Sequence, residues 1–226
     1  MVKISRAVFW KAAILTIIVF ILGIFTGFLL ESSRISEIVE TYKQVEIDWA
    51  DAKMQSSYFQ VVDIAKCKTA IEENLRFSDK VYQEGLKLER YEEANKLVKR
   101  ISLDYEKKRY TLLKMEFWLN SIALKKRCNA KYDNLVYFYV DKPTYIQRSE
   151  QNAQAIILKE LKRRYAAQVM LIPLPIDLDL SIINIITNTY NITNIPSLLI
   201  NEEVKLDGVH GLEDIENLIN PGINNK

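Results

Sequence analysis

The run from Ala12 to Leu30, AAILTIIVFILGIFTGFLL, contains no charged residue and no proline. At about 1.5 Å per residue such a helix reaches across a hydrocarbon core of about 30 Å. A secretory signal has a shorter apolar stretch, about 7–15 residues, and ends in small residues. Here the run passes into FLLESS with no A-x-A-like site. An uncleaved transmembrane helix over residues 12–30, embedded in the lipid bilayer, is therefore expected. Lys3, Arg6 and Lys11 precede it, and acids outnumber bases in ESSRISEIVE after it. Because positive residues stay on the cytoplasmic side, residues 1–11 are expected there and the rest of the chain outside the cytoplasm. Gly23 and Gly27 have the G-x-x-x-G spacing that brings two membrane helices together, so a homodimer is one expected partner state.

The remainder divides by composition. All five prolines lie at or after Pro143, and between Gly27 and Gly208 the only glycine is Gly85. Long helices are expected up to about Asn129–Asn134, and short elements joined by turns beyond it. A formal net charge of +2, with acids interleaved among the bases, excludes a nucleic-acid binder, whose footprint is a clustered basic face.

Two apolar series step by three and four. One runs Ile35, Ile38, Tyr42, Val45, Trp49, Ala52, Ser56 and Phe59. The other runs Tyr91, Ala94, Val98, Ile101, Tyr105, Lys108, Leu112, Met115, Leu119 and Ile122. Ser78 or Asp79, with Gly85, punctuates the stretch between them. Residues 31–130 are read as a helical stalk, either a coiled-coil hairpin or a three-helix bundle. Its cysteines, Cys67 and Cys128, are expected to pair in an oxidising compartment as a structural disulfide. A hairpin turning near Asp79 would leave them about 50 Å apart in level, whereas a disulfide needs Cα atoms within about 7 Å. The bridge then demands a further reversal near RISLD.

From Leu135 the period changes. LVYFYV reads as a buried strand, and QRSEQNAQAIILKELKRRY as an amphipathic helix. QVMLIPLPID reads as a strand that frays or lies toward a sheet edge because of its prolines. LSIINIITNTYN reads as a helix, SLLINEEVKLDGVHG as two strands around a turn, and LEDIENLI as a closing helix. The order is β-α-β-α-β-β-α, an α/β domain over residues 133–220 followed by a tail, 221–226.

TYNITNIPSLLINEEV within this domain resembles the thioredoxin fold. The resemblance rests on Tyr190, Asn191, Ile192 and Pro196, with Asn191 at a left-handed position where thioredoxins often have glycine. Asp177 stands where an aspartate often ends the preceding strand. The resemblance covers about two fifths of the chain and implies a cis Ile195–Pro196 bond before the third core strand. It also implies a cysteine pair in the turn VDKPTYIQRSEQ, on two positions three apart such as Tyr145 and Arg148. No cysteine stands in that turn. The chain thus looks like a membrane-anchored thioredoxin-like protein without its C-x-x-C dithiol.

Other chemistry finds no constellation. Ser149 and Arg148 have no neighbouring base, and the single histidine, His210, has no second metal-binding partner. DLDL is not a calcium loop, and no phosphate-binding glycine motif occurs. Neither a cofactor nor a metal is expected, and enzymatic activity is not. Asn191-Ile-Thr193 matches an N-glycosylation sequon, but it is expected to lie in an interior turn of the fold. The resemblance implies that an extended peptide pairs beside Ile195 and Pro196, with Tyr145 and Pro143 lining the surface, which is strand addition and needs no thiol. The expected function is an extracytoplasmic, redox-inactive module that binds or scaffolds a polypeptide. The alternative is a thiol–disulfide oxidoreductase or redox partner using Cys67 and Cys128.

Overall fold

A computed structural model describes residues 9–27, 47, 50–51, 53–54, 57–58, 67–94 and 100–219. The whole of the first apolar series, the charges at Lys3 and Arg6, and the tail fall outside the described residues. The chain forms two compact units, Met1–Asp51 and Ala52–Lys226.

In the first unit, helix α1 (Phe9–Gly27) is long and apolar enough to cross a membrane. Its two threonines satisfy their hydroxyls within the helix. Thr16 Oγ1 donates to the Ala12 carbonyl at 2.9 Å, and Thr26 Oγ1 donates to the Leu22 and Gly23 carbonyls at 2.9 and 3.0 Å. Such back-bonding leaves no hydroxyl without a partner, as an apolar surround requires.

The second unit begins with a pair of long helices, α2 (Cys67–Ala94) and α3 (Arg100–Cys128). They run antiparallel, and their contacts climb one helix as they descend the other. Cys67 is bonded to Cys128, Asn74 Nδ2 donates to Ser121 Oγ at 3.1 Å, Phe77 meets Phe117 at 6.1 Å between ring centroids, and Tyr110 Oη donates to the Val81 carbonyl at 2.9 Å. Helix α2 therefore runs on past Asp79 without a turn there. Ser78 and Asp79 lie inside α2, where a lone capping side chain without a glycine or proline stop does not end a helix. Gly85 is also internal. A Cβ there would collide with the Tyr110 hydroxyl, so the missing side chain serves close packing of the two helices, not a turn.

The apolar stripe expected on α3 is displaced. Tyr105 and Leu119 are 65% and 48% exposed, whereas Phe117 and Trp118 are 2% and 1% exposed. Helix α3 is buried on two flanks, one against α2 and one against a sheet. A three-four repeat, which marks a single seam, does not describe a helix covered on both sides.

The sheet has four strands in the order β2-β1-β3-β4. Strand β1 (Asp133–Tyr139) pairs in parallel with β2 (Val169–Pro175) and antiparallel with β3 (Ser197–Ile200), which pairs antiparallel with β4 (Val204–Asp207). Pro173 and Pro175 lie in β2, an edge strand, where a missing N–H costs no ladder bond. Helix α4 (Tyr145–Tyr165) joins β1 to β2 through a 3₁₀ turn at Ala166–Gln168. Helix α5 (Ser181–Thr189) joins β2 to β3, and α6 (Leu212–Glu216) follows β4.

Alternation gives the sheet two apolar faces. Leu135, Tyr137, Val169, Leu198 and Ile200 pack with Leu158 and Leu161 of α4 and with Ile215 of α6. Val136, Phe138, Met170, Ile172 and Leu199 point the other way and are fully or nearly fully buried. On that side Trp118 of α3 meets Tyr190, just beyond α5, at 6.0 Å between centroids. Side chains of this size each stabilise the fold by about 1.5–3 kcal/mol when fully buried. Helix α3 is therefore part of the sheet's packing, not a separate stalk.

Candidate functional site

Of the residues singled out from sequence, Pro143, Tyr145, Asp177 and Ile195 lie where β1 and β2 end. In open α/β sheets the carboxyl ends of parallel strands are where loops form ligand crevices. Here Ile176 N–H donates to the Tyr139 carbonyl at 2.8 Å, which carries the parallel pairing just past both strands. The Asp177 carboxylate then accepts the backbone N–H groups of Asp141 and Lys142 at 2.7 and 3.0 Å. It holds the β1–α4 turn from the neighbouring connection.

Helix α3 grips the same turn. Lys107 Nζ lies 2.7 Å from Asp141, both side chains being largely buried, and Lys142 lies 3.8 Å from the more exposed Asp104. From the other face, the side-chain amide of Gln151 on α4 lies against both backbone groups of Val140. In the orientation that satisfies both, it donates to the Val140 carbonyl at 3.2 Å and accepts from the Val140 N–H at 3.0 Å. Thr144 caps α4 reciprocally with Gln147: Gln147 N–H donates to Thr144 Oγ1 at 3.4 Å and Thr144 N–H donates to Gln147 Oε1 at 3.0 Å. Side chains from α3, from α4 and its cap, and from the connection after β2 thus fix where α4 begins.

On that fixed base the first two helical residues face solvent. Tyr145 is 91% exposed and Ile146 is 70% exposed. Pro143 is half-buried beside them and Arg148 is exposed. Strand β3 enters at the same sheet end, since Ser197 is the register partner of Phe138. The preceding Ile195–Pro196 bond is cis, and Asn191 has φ of 50°, in the left-handed region. Ile195 is half-exposed, whereas Pro196 is buried and accepts at its carbonyl the Gly208 N–H at 2.8 Å. Ile195, Tyr145 and Pro143 thus lie at one end of the sheet, and Pro196 contributes backbone, not surface. Ile146, the most exposed aliphatic side chain there, was not singled out from sequence; its adjacency to Tyr145 was the available signal. Lys107 and Gln151 carried no local signal, because their partners are distant in sequence.

The cysteines lie elsewhere. Cys67 and Cys128 form a disulfide with Cα atoms 5.4 Å apart. Cys128 precedes the first residue of β1, Asp133, while the exposed site follows its last, Tyr139. A seven-residue strand spans about 20 Å at about 3.3 Å per residue, so the disulfide and the exposed patch lie at opposite ends of the sheet.

His210 serves the fold. Its N–H donates to the Gln154 side chain at 2.8 Å, and its ring Nε2 lies 3.0 Å from the Asp207 carbonyl. Among the described residues no cluster of three His, Cys, Asp or Glu side chains is arranged to hold a metal ion. The strongest electrostatic shifts fall on groups outside the exposed patch itself. Arg163 and Arg164 hold the Glu160 carboxyl down to about 2, while burial pushes the Lys162 ammonium below its ordinary value and the Tyr132 and Tyr137 phenols well above theirs.

No protein-family model matches this chain, and no curated protein sequence matches it. Among solved structures, one titled as a malarial protein matches 39% of this chain and 93% of its own length at 13% identity, with a TM-score of 0.32. The germline-specific thioredoxin Deadhead of Drosophila melanogaster matches 46% of this chain and 90% of its own length at 14% identity, with a TM-score of 0.31.

Proposed function

We propose that this chain is a single-pass membrane protein whose extracytoplasmic, thioredoxin-like domain has lost its dithiol and binds extended polypeptide at the exposed end of its sheet. The observation that carries this reading is the apolar patch on a rigid base. Tyr145 and Ile146 project from an α4 terminus held by Asp177, Gln151 and Lys107, with half-exposed Ile195 at the same sheet end. Exposed aromatic and aliphatic side chains on fixed backbone suit capture of a peptide, because little ordering entropy is lost on binding. No thiol stands within reach of the patch among the described residues, which favours binding over exchange. The two cysteines are engaged with each other at the far end. Helix α1, with basic residues before it and a disulfide after it in the chain, supports anchorage with the domain in an oxidising space.

The test is selection of extended peptides on the full chain in detergent or nanodiscs. Selected peptides should lose tenfold or more in affinity on Ile195→Asp or Ile146→Asp, and keep it on Ile185→Asp, an exposed position on α5. Selection of no peptide, or of peptides indifferent to the first two changes, overturns the reading. Reduction of a disulfide substrate by the chain would favour the redox alternative.

A further inference from the structure

The sequence contains one N-x-Ser/Thr sequon, Asn191-Ile-Thr193. The motif sits in the connection between α5 and β3, and its middle residue is the only one folded inward. Ile192 is buried and donates its N–H to the Thr187 carbonyl at 2.8 Å. Asn191 and Thr193, on either side, are exposed. Neither side chain takes part in a hydrogen bond among the described residues; Asn191 bonds through its backbone, its carbonyl accepting from Lys205 Nζ at 2.9 Å and its N–H donating to the Asn188 carbonyl at 3.3 Å. The amide nitrogen and the +2 hydroxyl, the two groups that a glycosyl transferase reads, are thus left to solvent by the fold.

We propose that Asn191 is an N-glycosylation site, a reading that rests on the extracytoplasmic placement proposed above. The donor is a lipid-phosphate-linked oligosaccharide. The bond between the sugar's anomeric carbon and the phosphate oxygen breaks, and a bond from that carbon to Asn191 Nδ2 forms. The lipid phosphate leaves and the amide proton passes to solvent through the transferase. Buried Ile192 anchors the loop, so that the folded loop carries the glycan outward. The carbonyl of Asn191 is tied to β4, on the sheet face that α3 and α5 cover.

The experiment is expression of the full chain in cells that perform N-glycosylation, read by gel shift, glycosidase treatment and glycopeptide mass spectrometry. One glycan is expected on Asn191, lost in Asn191→Gln and in Thr193→Ala and retained in Thr193→Ser. Thr193 is exposed and has an ordinary backbone conformation, so its changes keep the test independent of folding at the left-handed Asn191. Lys131→Thr serves as control by creating a second sequon at exposed Asn129. If Asn129 of that variant is glycosylated and Asn191 is bare, the site proposal is overturned and the extracytoplasmic placement stands. If neither is modified, both fall.

Discussion

The indole N–H of Trp118 donates to the Glu202 carboxylate at 2.6 Å across 84 residues of sequence. The same oxygen accepts from Asn134 Nδ2 at 3.0 Å. Glu202 and Asn201 form the β3–β4 turn, both with positive φ, and Asn201 Oδ1 accepts from the Asn134 N–H at 3.0 Å and from Lys125. Asn201 Nδ2 in turn donates to Asp133 at 2.7 Å. One turn of the hairpin thus fastens helix α3 to the start of the central strand. Trp118 and Asn134 are almost wholly buried, so their donors have no water to fall back on. Glu202→Ala should cost about 1–3 kcal/mol, the penalty of leaving buried donors unpaired. A shift of the denaturant midpoint reads this, and Glu202→Gln should recover part of it.

Removing the disulfide should cost more. The bridge closes a loop with a sequence separation of 61. In the chain-entropy treatment a loop of that length stabilises by about 4 kcal/mol. Cys67→Ser with Cys128→Ser, or thiol reductant, should lower the unfolding midpoint accordingly. Peptide affinity should be unchanged under conditions where the double variant remains folded, because the bridge is at the opposite sheet end. A loss of affinity in the folded double variant would tie the cysteines to function.

Asp177→Ala should separate binding from stability. Its carboxylate is solvent-exposed, and the two N–H groups it frees turn to water, so the stability cost should stay near 1 kcal/mol. Its role is to fix the turn ahead of Tyr145. Affinity for selected peptides should therefore fall several-fold, a split that titration calorimetry and denaturant melts measure together.

Alkaline pH should unfold the domain early. Burial raises the Tyr132 and Tyr137 phenols above their ordinary value of 10.0. Below pH 10 both states hold these protons and the stabilisation is complete. Above it the unfolded chain releases protons that the folded chain retains, and stability declines by about 1.4 kcal/mol per pH unit for each phenol. Lys162 acts in the opposite direction, since burial lowers its ammonium and stability gains as pH rises to the ordinary lysine value of 10.5. Tyr132→Phe should make the decline above pH 10 shallower, as followed by circular dichroism against pH.

What local composition decides was legible in the sequence. LVYFYV became β1, the prolines of VMLIPLP marked an edge strand, and YIQRSEQNAQAIILKELKRRY became α4 behind a Thr144 cap. Hydrophobic period and missing N–H groups act within a few residues, so a reader of the chain alone can follow them. The same holds for the apolar length of α1. Other features depended on what lies across the molecule. Gly85 looks like a turn until Tyr110 is placed against it, and Tyr105 and Leu119 look like core until α3 is seen wedged between α2 and the sheet. The hairpin's reversal, and with it the meeting of Cys67 and Cys128, was set by packing of whole helices, not by any single capping residue. The exposed patch likewise depends on Asp177, Gln151 and Lys107, whose carboxylate, amide and ammonium act through contacts between elements. A side chain's own identity states what bonds it can make; only the fold brings the partner within hydrogen-bond reach.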